Sequence, residues 1–202
     1  MRIPVTVFSD YICPFCYVGS HRLLQLTEEF DLDILWAGLE IHPDNPPEGK
    51  PVEELGYPPE QWRNMMAALS RMAKAEGLPI VERTFTTNSR RALLLAEAAK
   101  DAGKPVFACV HERLFSAYFG ERQNIGDPEV LRALARECGM SEEQVEAAWH
   151  DPEYAQRLRQ YHEAAARVGV TGTPTYVINN ERALVGAVET GDLREALAQV
   201  AG

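Results

Sequence analysis

Ile3-Pro4-Val5-Thr6-Val7-Phe8-Ser9-Asp10-Tyr11-Ile12-Cys13-Pro14-Phe15-Cys16-Tyr17-Val18-Gly19 is the stretch that decides how this chain folds. Its first part, through Phe8, is apolar and β-branched, as strands are. Beyond the cysteines, Val18, Leu23, Leu24, Leu26 and Phe30 recur at roughly helical spacing. A Cys-x-x-Cys pair at a strand-to-helix turn points to thiol redox chemistry. The free N–H groups at a helix start, together with the helix dipole, favour negative charge there. The thiolate is the reactive form of cysteine, so Cys13, at an exposed helix start, is the expected nucleophile. Cys16 follows about one helical turn later, more buried and close enough to close a disulfide. Pro14 suits the first turn, where its missing N–H costs little.

Half of a zinc site would look the same, but a four-ligand site needs a second pair. The remaining cysteines, Cys109 and Cys138, have no cysteine neighbour two to four residues away, and His21 and His42 match no common finger spacing. No metal site is expected. Cys109 and Cys138 fall on different predicted helices and are expected to be buried, small apolar residues with no disulfide between them.

The chain has 202 residues, enough for one large domain or one domain carrying an insertion. Its 46% apolar and 25% charged residues are ordinary for a globular protein. A net charge of −10 argues against nucleic acid and anionic membranes as partners. No apolar run approaches the roughly 20 residues of a membrane span, and the N-terminus runs straight into the first strand with no visible secretory signal. The expected location is the cytoplasm. Four cysteines do not make a disulfide scaffold.

Residues 3–8 read as a strand, 14–30 as a helix and 32–36 as a second strand, a βαβ unit. A proline-rich linker covers 43–60, with a helical turn near Val52–Leu55. The chain then reads as helices for about a hundred residues. Trp62, Met65, Met66, Leu69, Met72 and Ala73 make one apolar face at helical spacing. Further helices span 88–102 and 105–119. Asp127-Pro128, Ser141 with Gln144, and Asp151-Pro152 signal three more helix starts. Strand pattern returns at Thr175–Ile178 and Ala183–Val188, and Asp192 caps a final helix. The fold class is therefore α/β, βαβ…ββα with a large all-helical insertion. Residues 1–45 and 168–202 form one domain, and 46–167 an inserted helical domain. Neither end has enough strands for a stable sheet alone.

A second motif, Gly169-Val170-Thr171-Gly172-Thr173-Pro174-Thr175, closes the helical block. With Phe8–Gly19, it makes the chain resemble the DsbA-like thioredoxin-fold family, in the FrnE-type branch that neighbours 2-hydroxychromene-2-carboxylate isomerases and kappa-class glutathione transferases. Asn88-Ser89-Arg90-Arg91-Ala92 also resembles the start of a family helix. The resemblance covers the whole length. It implies thiol–disulfide exchange on a protein or small-molecule disulfide, with Cys13 attacking and Cys16 resolving. No cofactor is implied beyond this redox pair, with glutathione the one candidate co-substrate. It also implies a cis Thr173–Pro174 bond facing the cysteines. Pro14, Phe15, Thr173 and Pro174 would contact substrate, with the Thr173 backbone pairing to an extended chain.

Two departures stand out. Thioredoxins carry a buried acid where this chain has Val7, which leaves Asp10 as the nearest candidate for proton transfer, or as a cap for the helix start. The motif interior is Pro-Phe where DsbA resembles Pro-His. A phenyl ring cannot donate to a thiolate, so this dithiol is expected to be less oxidising. His42 reads first as a plain loop residue and second as a residue at the rim of the site, and Trp36, Trp62 and Trp149 as core or interface. Gly191-Asp192 resembles the place where glutathione-binding relatives hold the γ-glutamyl group, although N-cap is the stronger reading of Asp192. The main rival is a glutathione-dependent isomerase or transferase, but such relatives typically carry serine at the position of Cys13. The other rival is a non-catalytic module that binds a ligand or partner.

Overall fold

The computed structural model describes residues 1–201. In chain order, β1 (Ile3–Ser9) leads into α1 (Pro14–Gln25), a 3-10 turn over Leu26–Glu28, and β2 (Leu32–Gly38). Then come β3 (Lys50–Pro51), a 3-10 turn over Val52–Leu55, α2 (Pro59–Glu76) and β4 (Phe85–Thr86). Five helices follow: α3 (Arg90–Ala102), α4 (Lys104–Phe119), α5 (Pro128–Glu137), α6 (Glu142–His150) and α7 (Pro152–Val168). β5 (Thr175–Ile178), β6 (Arg182–Val185) and α8 (Thr190–Ala201) end the described chain.

Four strands make one sheet in the order β2-β1-β5-β6. β1 and β2 are parallel, from Ile3 opposite Leu32 to Ser9 opposite Gly38. Parallel neighbours need a crossover, and α1 supplies it. β5 lies antiparallel on the other side of β1, with Val5 opposite Ile178 and Phe8 opposite Thr175. The β5–β6 turn uses Asn179 and Asn180 at positive φ, which asparagine tolerates better than most residues. This is the βαβ…ββα layout expected from the sequence. The insertion is helical apart from β3 and β4, a two-residue antiparallel ladder that pins the linker to the segment before α3.

The expected caps form. Asp127 and Asp151 accept from the N–H groups of Glu129 and Glu153, and Ser141 and Gln144 make a reciprocal capping box. Asp192 is not a cap: α8 begins at Thr190, which puts Asp192 inside its first turn.

Two cores meet at the cysteine turn. Ile3, Val5, Val7, Leu23, Tyr176, Leu193 and Leu197 pack between the sheet, α1 and α8. A larger core centres on Leu95, Leu114, Phe115 and Phe119 of the insertion, and it takes in Tyr11, Ile12, Cys13, Cys16 and Tyr17. Tyr17 stacks on Phe115 at 5.2 Å between ring centroids, and the Tyr11 hydroxyl meets His111 Nδ1 at 2.9 Å. The cysteine turn is thus set by contacts from the insertion as much as by the sheet.

One expectation is overturned here. Cys109 and Cys138 are joined in a disulfide, with Cα atoms 5.5 Å apart. Cys138 is not inside a helix but is the C-cap of α5, and α5 packs against α4 there, with Arg113 of α4 3.0 Å from Glu137. Their 29-residue separation carries no information about this approach.

Candidate active site

Cys13 is the N-cap residue of α1, extended at φ −89° and ψ 113°, and Pro14 opens the helix. The Cys16 N–H donates to the Cys13 carbonyl at 3.0 Å. Both thiols are free and buried. Cys16 is 1% exposed, as its place one turn inside the helix requires, but Cys13 is only 6% exposed. That corrects the exposed position expected for it. The loop before β5 folds against the cysteine, so its thiol donates to the Thr173 carbonyl at 3.5 Å. The Thr173–Pro174 peptide is cis. Gly19 permits this approach, because a Cβ there would lie 2.1 Å from the Tyr176 hydroxyl and 2.9 Å from Pro174 Cγ.

The two sulfurs are polarised in opposite directions. The Cys16 thiol hydrogen-bonds to Cys13 and lowers the Cys13 pKa, against the opposing effect of burial. Burial pushes the Cys16 thiol well above its ordinary value, and the bond to Cys13 adds to the rise, while Ser9 bonds to Cys16 and opposes it. Of the two thiols, Cys13 is therefore the one that ionises first.

Asp10 sits directly before this turn and is fully buried. Its Oδ1 accepts from the Ile12 N–H at 3.3 Å, and its Oδ2 from the Ile41 N–H at 2.8 Å and the Ser89 hydroxyl at 3.0 Å. One carboxyl thus ties the end of β1 to the exit of β2 and the start of α3. It caps no helix, since Ile12 precedes α1. Burial raises its pKa to about 6, and its charge in turn raises that of Cys13.

A groove of about 350 Å³ opens beside the cysteine. Cys13, Pro14 and the Thr171–Thr173 loop line it together with Phe15, Ile41, Tyr57, Trp62, Met65 and Met66, and with two basic residues, His42 and Arg83. His42, expected first to be a plain loop residue, is at the groove, where burial, Lys50 and Arg83 lower its pKa. Trp62, Met65 and Met66 come from the apolar face of α2, of which only Leu69 and Ala73 are buried. The structure thus gathers Cys13, Cys16, Pro14, Phe15, Thr173 and Pro174, with Asp10 behind them. Asp192 is exposed on α8 and does not line the groove. Among the described residues, no cluster of histidine, cysteine or acidic side chains is arranged to hold a metal ion.

Sequence reasoning missed Arg83, Ser9 and the role of Ser89. Ser89 lies in Asn88-Ser89-Arg90-Arg91-Ala92, so the signal was present and its meaning was not: its hydroxyl is the side-chain partner of Asp10. Arg83 stands in an irregular stretch with no motif around it.

Residues 4–198 match the model of the DSBA-like thioredoxin domain. An uncharacterized protein of Bacillus subtilis (strain 168), YwbO, is 29% identical over 186 residues, covering 89% of this chain and 88% of the relative. A crystal structure of a probable DsbA oxidoreductase from Streptomyces coelicolor superposes with a TM-score of 0.86 at 28% identity, over 98% of this chain and 89% of that one. A 2-hydroxychromene-2-carboxylate isomerase shares the fold at TM-score 0.78 and 19% identity, over 98% of this chain and 96% of that one. The cytosolic disulfide reductase DsbM of Pseudomonas aeruginosa, solved with GSH, does so at TM-score 0.68 and 21% identity, over 97% and 94%.

Proposed function

The chain belongs to the DSBA-like thioredoxin domain family, and on that premise we propose that it is a thiol–disulfide oxidoreductase working through Cys13 and Cys16. The observation that carries this reading is the opposite polarisation of two free thiols one helical turn apart. The Cys13 thiolate attacks one sulfur of a substrate disulfide, forming Cys13–S–S–R and releasing the other half as a thiolate. Cys16 then loses its proton and attacks the Cys13 sulfur. The second half leaves as a thiolate, and Cys13–Cys16 remains as a disulfide. Two electrons pass from the dithiol to the substrate, and the Cys16 proton ends on a departing thiolate. The reverse sequence oxidises a substrate dithiol.

Pro14, Phe15, Thr173 and Pro174 are taken as substrate contacts, with an extended partner pairing to the Thr173 backbone in place of the Cys13 thiol. Asp10, with its pKa of about 6, is taken as the group that exchanges a proton near the cysteines. The cytoplasm stays the proposed place of action. The Cys109–Cys138 bridge is the feature at odds with that, because structural disulfides are rare there.

Turnover of an insulin disulfide with dithiothreitol as reductant tests the reading. Cys13→Ser should abolish catalysed exchange, because a serine hydroxyl is not ionised near neutral pH. Cys16→Ser should fail differently: reduced and then freed of dithiothreitol, it should accept one substrate half and stall. Retained exchange in Cys13→Ser, or full turnover in Cys16→Ser without added glutathione, would favour an isomerase or transferase that needs only a bound glutathione thiolate.

A further inference from the structure

We propose that the groove beside Cys13 selects small disulfides that carry a carboxylate on an aromatic or apolar body, with Arg83 as the anchor for that carboxylate. The proposal rests on the exchange reading and gives it a substrate class.

The chain holds 30 acidic residues against 20 Lys and Arg, yet no Asp or Glu lines this groove. Arg83 lines it, held in place by neutral partners. Its Nη1 donates to the Tyr118 hydroxyl at 2.9 Å and to the Ile12 carbonyl at 3.4 Å. Its guanidinium carbon lies 5.1 Å from the Tyr118 ring centroid and 5.0 Å from that of Phe119. Among the described residues, Nε and Nη2 of Arg83 have no protein partner, and Arg83 is in no ion pair. A guanidinium fixed on one side, with an N–H fork left over, is pre-organised for a carboxylate.

The placement suits a compact ligand. Ile12, whose carbonyl Arg83 holds, is the residue next to Cys13, and Arg83 and Cys13 line the same groove, so an anion on Arg83 shares that groove with the sulfur. Tyr57, Trp62, Met65 and Met66 supply an aromatic and thioether wall for an apolar body. A volume of about 350 Å³ is at the small end of ligand sites. The chemistry balances as in the exchange above: the dithiol supplies two electrons, the disulfide leaves as two thiolates, and an external dithiol restores the cysteines.

Two chromogenic disulfides test this, each mixed in a single turnover with pre-reduced protein: 5,5′-dithiobis(2-nitrobenzoate), which is anionic, and 4,4′-dithiodipyridine, which is neutral. Arg83→Gln should slow the benzoate reaction about tenfold or more, the scale of one lost charge-assisted hydrogen bond. The dipyridine reaction should stay within about twofold, and Arg83→Lys should fall between wild type and Arg83→Gln. An equal change for both disulfides, or none for either, overturns the proposal. A second measurement needs no variant: 4-nitrobenzoate should protect wild-type Cys13 from iodoacetamide, and 4-nitrobenzamide should not. Equal protection by both, or protection by neither, also overturns it. If wild type exchanges with both disulfides but Arg83 does not discriminate, only this inference fails. If Cys13→Ser still reduces both, the exchange reading fails first.

Discussion

Asp10 shows how much one buried carboxyl can carry. Its three hydrogen bonds hold together the end of β1, the chain after β2 and the start of α3, and the cysteine turn is hung from that junction. The arrangement costs stability at neutral pH. The folded state holds the Asp10 proton with a pKa of about 6, against 3.8 for the free group. A group whose folded pKa is raised in this way stabilises most at low pH, where both states are protonated. The benefit is lost as pH climbs through about 4 to 6, and it amounts to about 3 kcal/mol if the whole shift is realised. Asp10→Asn removes this titration. Urea unfolding of both proteins should show wild type gaining stability relative to Asp10→Asn as pH falls from about 7 to about 4. A difference that does not change with pH would mean that the three hydrogen bonds offset burial, and wild type losing relative stability on acidification would mean that they dominate it.

Between elements, two contacts stand out, and neither is written in any single segment. The first is α1 against β5. Gly19 leaves no room for a side chain beneath Tyr176 and Pro174, and the Tyr176 hydroxyl is buried with no hydrogen-bond partner. Gly19→Ala should therefore cost about 1–3 kcal/mol through overpacking. Tyr176→Phe removes the atom in closest conflict and a polar group with no partner, so it should be nearly neutral alone and should recover part of the Gly19→Ala loss. Additive losses in thermal melts of the double variant would contradict this geometry. The second contact is the Cys109–Cys138 bridge between α4 and the end of α5. Closing a 29-residue separation restricts the unfolded chain by about 3–4 kcal/mol. Cys138→Ala should melt several degrees below wild type without reductant, and dithiothreitol should erase most of that gap. A gap that persists unchanged in reductant would assign it to packing alone. The apolar face of α2 makes the same point about reach. Periodicity finds Trp62, Met65 and Met66 on one side of a helix, but it cannot tell whether that side meets a neighbour or borders a groove.

Across the whole molecule, the legible part was what local chemistry writes down. Cys13 and Cys16 sit at a strand-to-helix turn, Thr173 and Pro174 lead into a strand, and Asp127, Ser141 and Asp151 cap helices, each readable from a few adjacent residues. The family match over residues 4–198 agrees with that frame. What stayed hidden depends on segments far apart in sequence. Cys13 is buried because the loop that ends at Thr173 folds over it. Ser89 matters because α3 begins beside Asp10, and Arg83 matters because a stretch without periodicity lies along the groove. The central claim is that one sulfur attacks and the other resolves, and peptide mapping of Cys16→Ser tests it most directly. After incubation of the reduced variant with insulin, an added mass should appear on the Cys13 peptide alone and be released by dithiothreitol. An adduct on Cys109 or Cys138 in place of Cys13, or no adduct while insulin is still being reduced, would contradict it.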